Sequence, residues 1–255
     1  MNIVSIIPAR MSASRFPGKP MKKIHGLPMV AHCYFRSSLC KDVSDTYVAT
    51  CDEEIFDYIE SIGGKAIMTS DLHERASDRV AEAMIDIEKQ TSKTIDLIVM
   101  VQGDEPMITP TMITQAISPF KSDENISVVN LMAKIKSIEE FNDPNEIKVV
   151  VDSLSNALYF SRAPIPYSKD GIKELNALKQ VCVIPFKRDY LLQYNNTEET
   201  PLEIMESVDM MRILENGKNV RMVLTSEESF SVDTEEDRKR VEELMLNDHL
   251  MQSYK

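Results

Sequence analysis

The 255-residue sequence predicts an α/β fold: a mostly parallel sheet covered by helices on both faces, with a small mixed or antiparallel excursion. Three observations carry this. In the first half, short runs rich in β-branched residues alternate with helical segments. Those runs, such as Ile3-Val4-Ser5-Ile6-Ile7, are apolar nearly throughout, as in strands buried on both faces. In the second half, strand-like runs follow one another without long intervening helices, which suits antiparallel neighbours.

The elements follow in order. Ile3 to Ile7 is a first strand, and Pro8 ends it. The next residues, through Arg10, Arg15, Phe16, Pro17, Gly18, Lys19 and Pro20, form a loop with three cations and no acid. A cationic loop at the carboxyl end of a first strand is where an α/β sheet takes a phosphate-bearing ligand. Pro28 to Leu39 is a helix opened by proline. Thr46 to Thr50 is a strand, Asp52 to Ile62 a helix stopped by Gly63-Gly64, and Lys65 to Thr69 a strand. Ser77 to Lys89 is an amphipathic helix with Val80, Met84 and Ile87 on one face. Ile95 to Val101 is a strand leading into Gln102-Gly103-Asp104-Glu105-Pro106.

Ile126 to Lys134 is a strand, followed by a short acidic helix and by strands at Ile147 to Val151, Ala157 to Phe160 and Val181 to Phe186. Thr200 to Glu215 reads as one helix: Thr200 caps it, Pro201 opens it, Glu203 completes a capping box and Gly217 stops it. Val220 to Leu224 is a strand, and Thr234 caps a last helix. The chain reads as one domain over 1–255, with an inserted region at about 150–200.

Charge narrows the function. The net charge of −12 disfavours nucleic acid. Residues 1 to 41 nevertheless hold seven Lys and Arg and no acid, which reads as a local anion site. No run of 18 apolar residues is present, so no membrane span is expected. Cys33, Cys40, Cys51 and Cys182 lack metal-ligand spacing and read as reduced thiols of a cytoplasmic protein. Asp104, at the end of an apolar strand, and Asp233, in a turn before the last helix, are the carboxylates best placed to share a divalent cation.

The loop from Pro8 to Pro20, Gln102-Gly103-Asp104-Glu105-Pro106, and Pro144-Asn145 with Lys148-Val149-Val150 resemble the cytidylyltransferases that activate 3-deoxy-manno-octulosonate (Kdo). So do Ala157 to Ala163, Thr200 to Glu203 and Val232-Asp233-Thr234, in the same order along nearly the whole chain. The resemblance implies a Rossmann-like sheet of the nucleotide-diphospho-sugar transferase type, a homodimer, and a dimerisation and sugar-binding role for the inserted region. It implies transfer of CMP from CTP to a 2-keto-3-deoxy sugar acid, with release of pyrophosphate, for a lipopolysaccharide-type surface glycan. It assigns Mg²⁺ to Asp104 and Asp233, and catalysis to these two with Arg10 and Lys19. Pro8, Ala9, Arg10, Arg15, Lys19, His73, Ser77, Arg79, Gln102 and Gly103 are expected against the nucleotide. Gln102, Arg162, Gln180, Ile184 and Asp209 are expected against the sugar acid, with Arg162 on its carboxylate.

The chain departs from the family's usual pattern at Glu74-Arg75-Ala76-Ser77, and at Gln180, Ile184 and Asp209, where His, Tyr and Glu are usual. These three changes point to a modified acceptor, such as an amino- or deoxy-substituted Kdo. Another nonulosonic acid, a phosphonate acceptor, and a nucleotide-binding protein without enzyme activity remain as alternatives.

Overall fold

A computed structural model describes residues 1–12, 16–168 and 176–255. The first sheet consists of β1 (Ile3–Ala9), β4 (Asp45–Thr50), β5 (Ala66–Met68), β6 (Leu97–Val101) and β11 (Val183–Lys187), in the order β11-β6-β1-β4-β5. Its first four strands in sequence are parallel, and β11 runs antiparallel to β6. All seven residues of β1 are buried. Alternate side chains leave on opposite faces, so Val4 and Ile6 join one core cluster while Ile3 and Ile7 join another.

Helices cover this sheet. They include α1 (Met29–Ser38), α2 (Glu53–Ser61), α3 (Ala76–Thr91), α4 (Pro110–Ile117) and α6 (Arg188–Asn195). The chain passes from β1 through α1 to β4 on one side, and returns through α3 to β6 on the other. The strand order reverses between β1 and β6, and a crevice opens at their carboxyl ends.

A second sheet has the order β12-β7-β10-β8-β9. Its strands are β7 (Val129–Lys134), β8 (Lys148–Val151), β9 (Ala157–Ser161), β10 (Leu178–Val181) and β12 (Arg221–Leu224). It is antiparallel except for the β7–β12 pair, as expected of the second half. Around it lie α5 (Ile138–Asn142), α7 (Pro201–Glu206) and α8 (Met210–Glu215), while α9 (Glu235–Leu244) packs through Val241 into a separate cluster with Ile24 and Met29.

Two expected elements are corrected. Thr200 to Glu215 is two helices, because Ser207 adopts the left-handed conformation at φ 52°. Val181 to Phe186 is also two elements: the chain changes sheets at Cys182, with β10 before it and β11 after it. Sequence reading passed over α4, although Thr109 caps it and Pro110 occupies its first turn. It also passed over α6 and a short hairpin of β2 (Lys23–Ile24) and β3 (Leu27–Pro28).

Candidate active site

The crevice is built by close approach. At Gly103 a Cβ would stand 2.9 Å from the Pro8 carbonyl oxygen, so glycine lets the ends of β6 and β1 meet. Gly18, at φ 69°, turns the chain into a 3₁₀ turn from Lys19 to Met21. Its N–H donates to the Met11 carbonyl, 3.1 Å away. The Val232 N–H donates to the Asp104 carbonyl at 3.0 Å, which brings the segment before α9 against the end of β6.

These three constraints gather Lys19, Asp104 and Asp233. The Lys19 ammonium lies 2.8 Å from Asp104 and 3.1 Å from Asp233, with its side chain 14% exposed. Burial alone would depress the lysine; the two carboxylates outweigh it and raise its pKa. Two carboxylates converging on one cation suit Mg²⁺, which takes a few protein carboxylates and completes its shell with phosphate oxygens and water. Among the described residues no group of three or more His, Cys, Asp or Glu side chains forms a metal site.

Three chambers open from this point. The central one, of about 400 Å³, is lined by Pro8, Ala9, Arg10, Lys19, Gly103 and both aspartates. A second, of about 190 Å³, shares Pro8, Ala9 and Arg10 with it and adds residues at the start of α3. A third, of about 200 Å³, shares the two aspartates with the central one and reaches the second sheet. Gln102 lines all three.

His73 and Arg79 line the second chamber. The Arg79 guanidinium, however, is committed to Thr69 Oγ1 at 2.5 Å and to the Ser70 and His73 carbonyls at 3.2 and 3.5 Å. It shapes the loop. Arg10 Nη1 donates to the same His73 carbonyl at 3.4 Å, and the His73 ring pairs with Glu82. Ser77, also expected against the nucleotide, is fully buried in the first turn of α3 and lines none of these chambers. Arg15 lies outside the described residues.

Of the residues expected against the sugar acid, only some line the third chamber. Gln180 lines it, with its amide nitrogen donating to Asn130 Oδ1 at 2.5 Å. Ile184 does not: it is 3% exposed, on β11 opposite Met100 in the core. Asp209 does not either; its carboxylate faces Arg75 at 3.4 Å. Burial raises the Asp209 carboxyl to about 6, with Arg75 opposing that shift. Arg162 borders the chamber, yet three of its N–H groups are spent on backbone. Nε donates to the Glu206 carbonyl at 2.6 Å, Nη1 to Pro144 at 2.8 Å and Nη2 to Ser207 at 3.2 Å.

Several lining groups went unread in the sequence. Lys179, 7% exposed, bridges Glu140 at 2.6 Å and Glu146 at 3.1 Å. Glu105 is buried and bonded to Ser229; burial first, and Asp104 second, raise it to about 7. The signal for Glu105 was present, since it directly follows Asp104. Lys179 and Glu146 gave none, because only the β8–β10 pairing brings their segments together.

The cytidylyltransferase family profile matches residues 4–221. A 3-deoxy-manno-octulosonate cytidylyltransferase of Geobacter metallireducens is 42% identical over 253 residues, spanning 95% of this chain and 97% of the relative. The chain belongs to the 3-deoxy-manno-octulosonate cytidylyltransferase family. A relative with the same description from Trichlorobacter lovleyi is 41% identical, over 96% of this chain and 99% of its own. A solved CMP:2-keto-3-deoxy-manno-octonic acid synthetase, complexed with CTP, superposes with a TM-score of 0.87 at 36% identity, covering 96% and 98% of the two chains. A glucose-1-phosphate thymidylyltransferase from Bacillus anthracis reaches 0.68 at 13% identity and shows a shared fold. The cytidylyltransferase chain thus carries the Rossmann-like fold expected of it, with no described helix long and apolar enough to cross a membrane.

Proposed function

We propose that this protein transfers the cytidylyl group of CTP to the anomeric hydroxyl of 3-deoxy-manno-octulosonate. The observation that carries this is the Lys19–Asp104–Asp233 cluster between the central and third chambers, in a chain of this family. The acceptor oxygen forms a bond to the α-phosphorus of CTP. The bond from that phosphorus to the β-phosphate oxygen breaks, pyrophosphate leaves, and the hydroxyl proton is released.

Negative charge on the phosphate oxygens is the main obstacle to this transfer. Arg10 and Lys19 supply fixed cations in the central chamber. Asp104 and Asp233 would hold Mg²⁺, and bound Mg²⁺ would neutralise triphosphate charge. Lys19 then does two things. It keeps the two carboxylates together, and it presents an ammonium to the triphosphate.

The third chamber is read as the acceptor's. Of the three changes behind an expected modified acceptor, Ile184 and Asp209 lie away from that chamber and only Gln180 lines it. Kdo itself is therefore the acceptor proposed. The test is pyrophosphate release with CTP and a panel of acids: Kdo, its 8-amino-8-deoxy analogue, other nonulosonic acids and a phosphonate. Release with Kdo as the best acceptor supports the reading. A clear preference for the amino analogue would restore the modified acceptor, and no release with any acid would end the enzyme reading.

The homodimer belongs to the same proposal. Strand β9 is an edge of the second sheet, and its Leu158 is 61% exposed. The neighbouring α7 exposes Ile204 and Met205 at 60% and 78%. An unpaired edge flanked by apolar side chains accepts a second strand, and a second copy of this chain supplies one with the same surface.

A further inference from the structure

We infer that Tyr254 is a positioning residue for the catalytic cluster: its hydroxyl ties together the three chain segments that carry Lys19, Asp104 and Asp233. The inference rests on the proposed transfer and deepens it.

The three segments meet on α1. Ile24, five residues beyond Lys19, accepts at its carbonyl from His32 Nε2 at 2.9 Å. Ile108, four residues beyond Asp104, accepts at its carbonyl from Arg36 Nη1 at 3.2 Å. Asp248 lies beyond Asp233 and α9, and its carboxylate pairs with Arg36 Nη2. His32 and Arg36 are both buried and stand one turn apart on α1. The Tyr254 hydroxyl lies between them, 2.9 Å from His32 Nδ1 and 2.9 Å from Arg36 Nε. Its ring stacks on Phe35, with centroids 5.3 Å apart. The same segments share one apolar cluster, in which Phe16 precedes Lys19, Val232 precedes Asp233 and Met251 precedes Tyr254.

The direction of the bonds makes a hydroxyl specific to this place. The Ile24 carbonyl only accepts, so His32 Nε2 carries the hydrogen. Burial keeps the His32 ring neutral near pH 7, and its Nδ1 is then an acceptor. Arg36 only donates. Tyr254 accepts from Arg36 Nε and donates to His32 Nδ1, so the bonds run one way from Arg36 through Tyr254 and His32 to Ile24. A phenyl ring in its place leaves a buried guanidinium N–H and a buried imidazole nitrogen without partners. The holds on Ile24 and Ile108 then slacken, and the ammonium and carboxylates of the cluster lose their common register. The reaction feels this, because a displacement of about 1 Å in a positioned group costs up to about a hundredfold in rate.

The test is Tyr254→Phe in the full chain, which keeps the stacked ring and removes the hydroxyl. Its kcat should fall about tenfold, and the Mg²⁺ concentration for half-maximal rate should rise severalfold, with acceptor KM unchanged. Backbone hydrogen exchange, read without any substrate, should quicken over 16–24 and 104–108 and stay as in the parent over α2 and β5. Calorimetry with CTP should show a smaller gain in affinity on adding Mg²⁺. Asp248→Asn should act in the same direction, and it decides the question by the same readouts if Tyr254→Phe is unfolded. Faster exchange with unchanged kcat would make Tyr254 a packing residue and overturn the inference. Unchanged exchange, or a loosening that reaches α2 and β5 equally, overturns it too. In a protein inactive on every sugar acid, faster exchange in the two segments with a smaller Mg²⁺-dependent gain in CTP affinity would uphold it while the proposed reaction failed.

Discussion

At the scale of single residues, Lys19 has the most to lose. Charge on the phosphoryl oxygens grows during transfer, so an ammonium beside them acts more in the transition state than in binding. Lys19→Ala is expected to lower kcat by roughly a hundredfold, with a smaller change in CTP affinity. Steady-state kinetics with binding measured separately checks it; a change in affinity alone would make Lys19 a simple binding residue. Asp104→Asn and Asp233→Asn should each cost a similar factor and shift the Mg²⁺ dependence upward. A second residue carries a pH dependence. His32 is fully buried, with Nε2 bonded to the Ile24 carbonyl at 2.9 Å and Nδ1 to the Tyr254 hydroxyl at 2.9 Å. Burial is the main cause that lowers it to about 4. In that state the unfolded chain binds the proton and the folded chain does not. Stability should fall as pH drops from about 6.5 to about 4, by on the order of 3 kcal/mol. Denaturant titrations across that window, repeated with His32→Gln, check it: the variant should lose the slope.

At the scale of elements, the break between α7 and α8 explains what the sequence concealed. Thr200, Pro201 and Glu203 announce a helix start, and Gly217 announces an end, so one helix is the natural reading. The break comes from outside. Arg162 of the segment after β9 caps the carbonyls of Glu206 and Ser207, while the Glu206 carboxylate accepts from Arg162 N–H at 2.9 Å and Ser161 Oγ at 2.8 Å. Those partners lie about 45 residues away, beyond any local pattern. The same geometry predicts what Arg162 is for. Arg162→Lys should lower stability by about 1 kcal/mol, since three carbonyls, two of them exposed, lose their donors. Urea unfolding measures this. Undiminished stability with a large rise in acceptor KM would return Arg162 to the acceptor's carboxylate.

At the scale of the molecule, the mostly parallel first sheet was legible because its strands carry local signals. Apolar runs gave β1 and β6, and turn-formers gave the loop that carries Lys19. The residues expected against the sugar acid were legible only by motif, and motif does not say which way a side chain points: Ile184 and Asp209 keep their places in the chain but do not line the third chamber. The exposed face of β9 and α7 adds a prediction. Leu158→Lys with Met205→Glu should yield monomers by sedimentation at micromolar concentration, where the proposed homodimer predicts a dimeric parent. Monomeric parent protein would remove the homodimer.

The Lys19 contacts have a consequence in time as well as in space. Lys19 meets Asp104 across 85 residues of sequence and Asp233 across 214. Closing loops of that size comes late, since long-range contacts form only after the entropy of bringing their ends together has been met. During synthesis the cationic loop emerges among the earliest residues, and its second carboxylate more than two hundred residues later. Any chain halted before residue 233 holds the loop without that partner, and refolding should regain sheet structure before it regains turnover. Activity in this protein reports a contact among those with the longest loops to close.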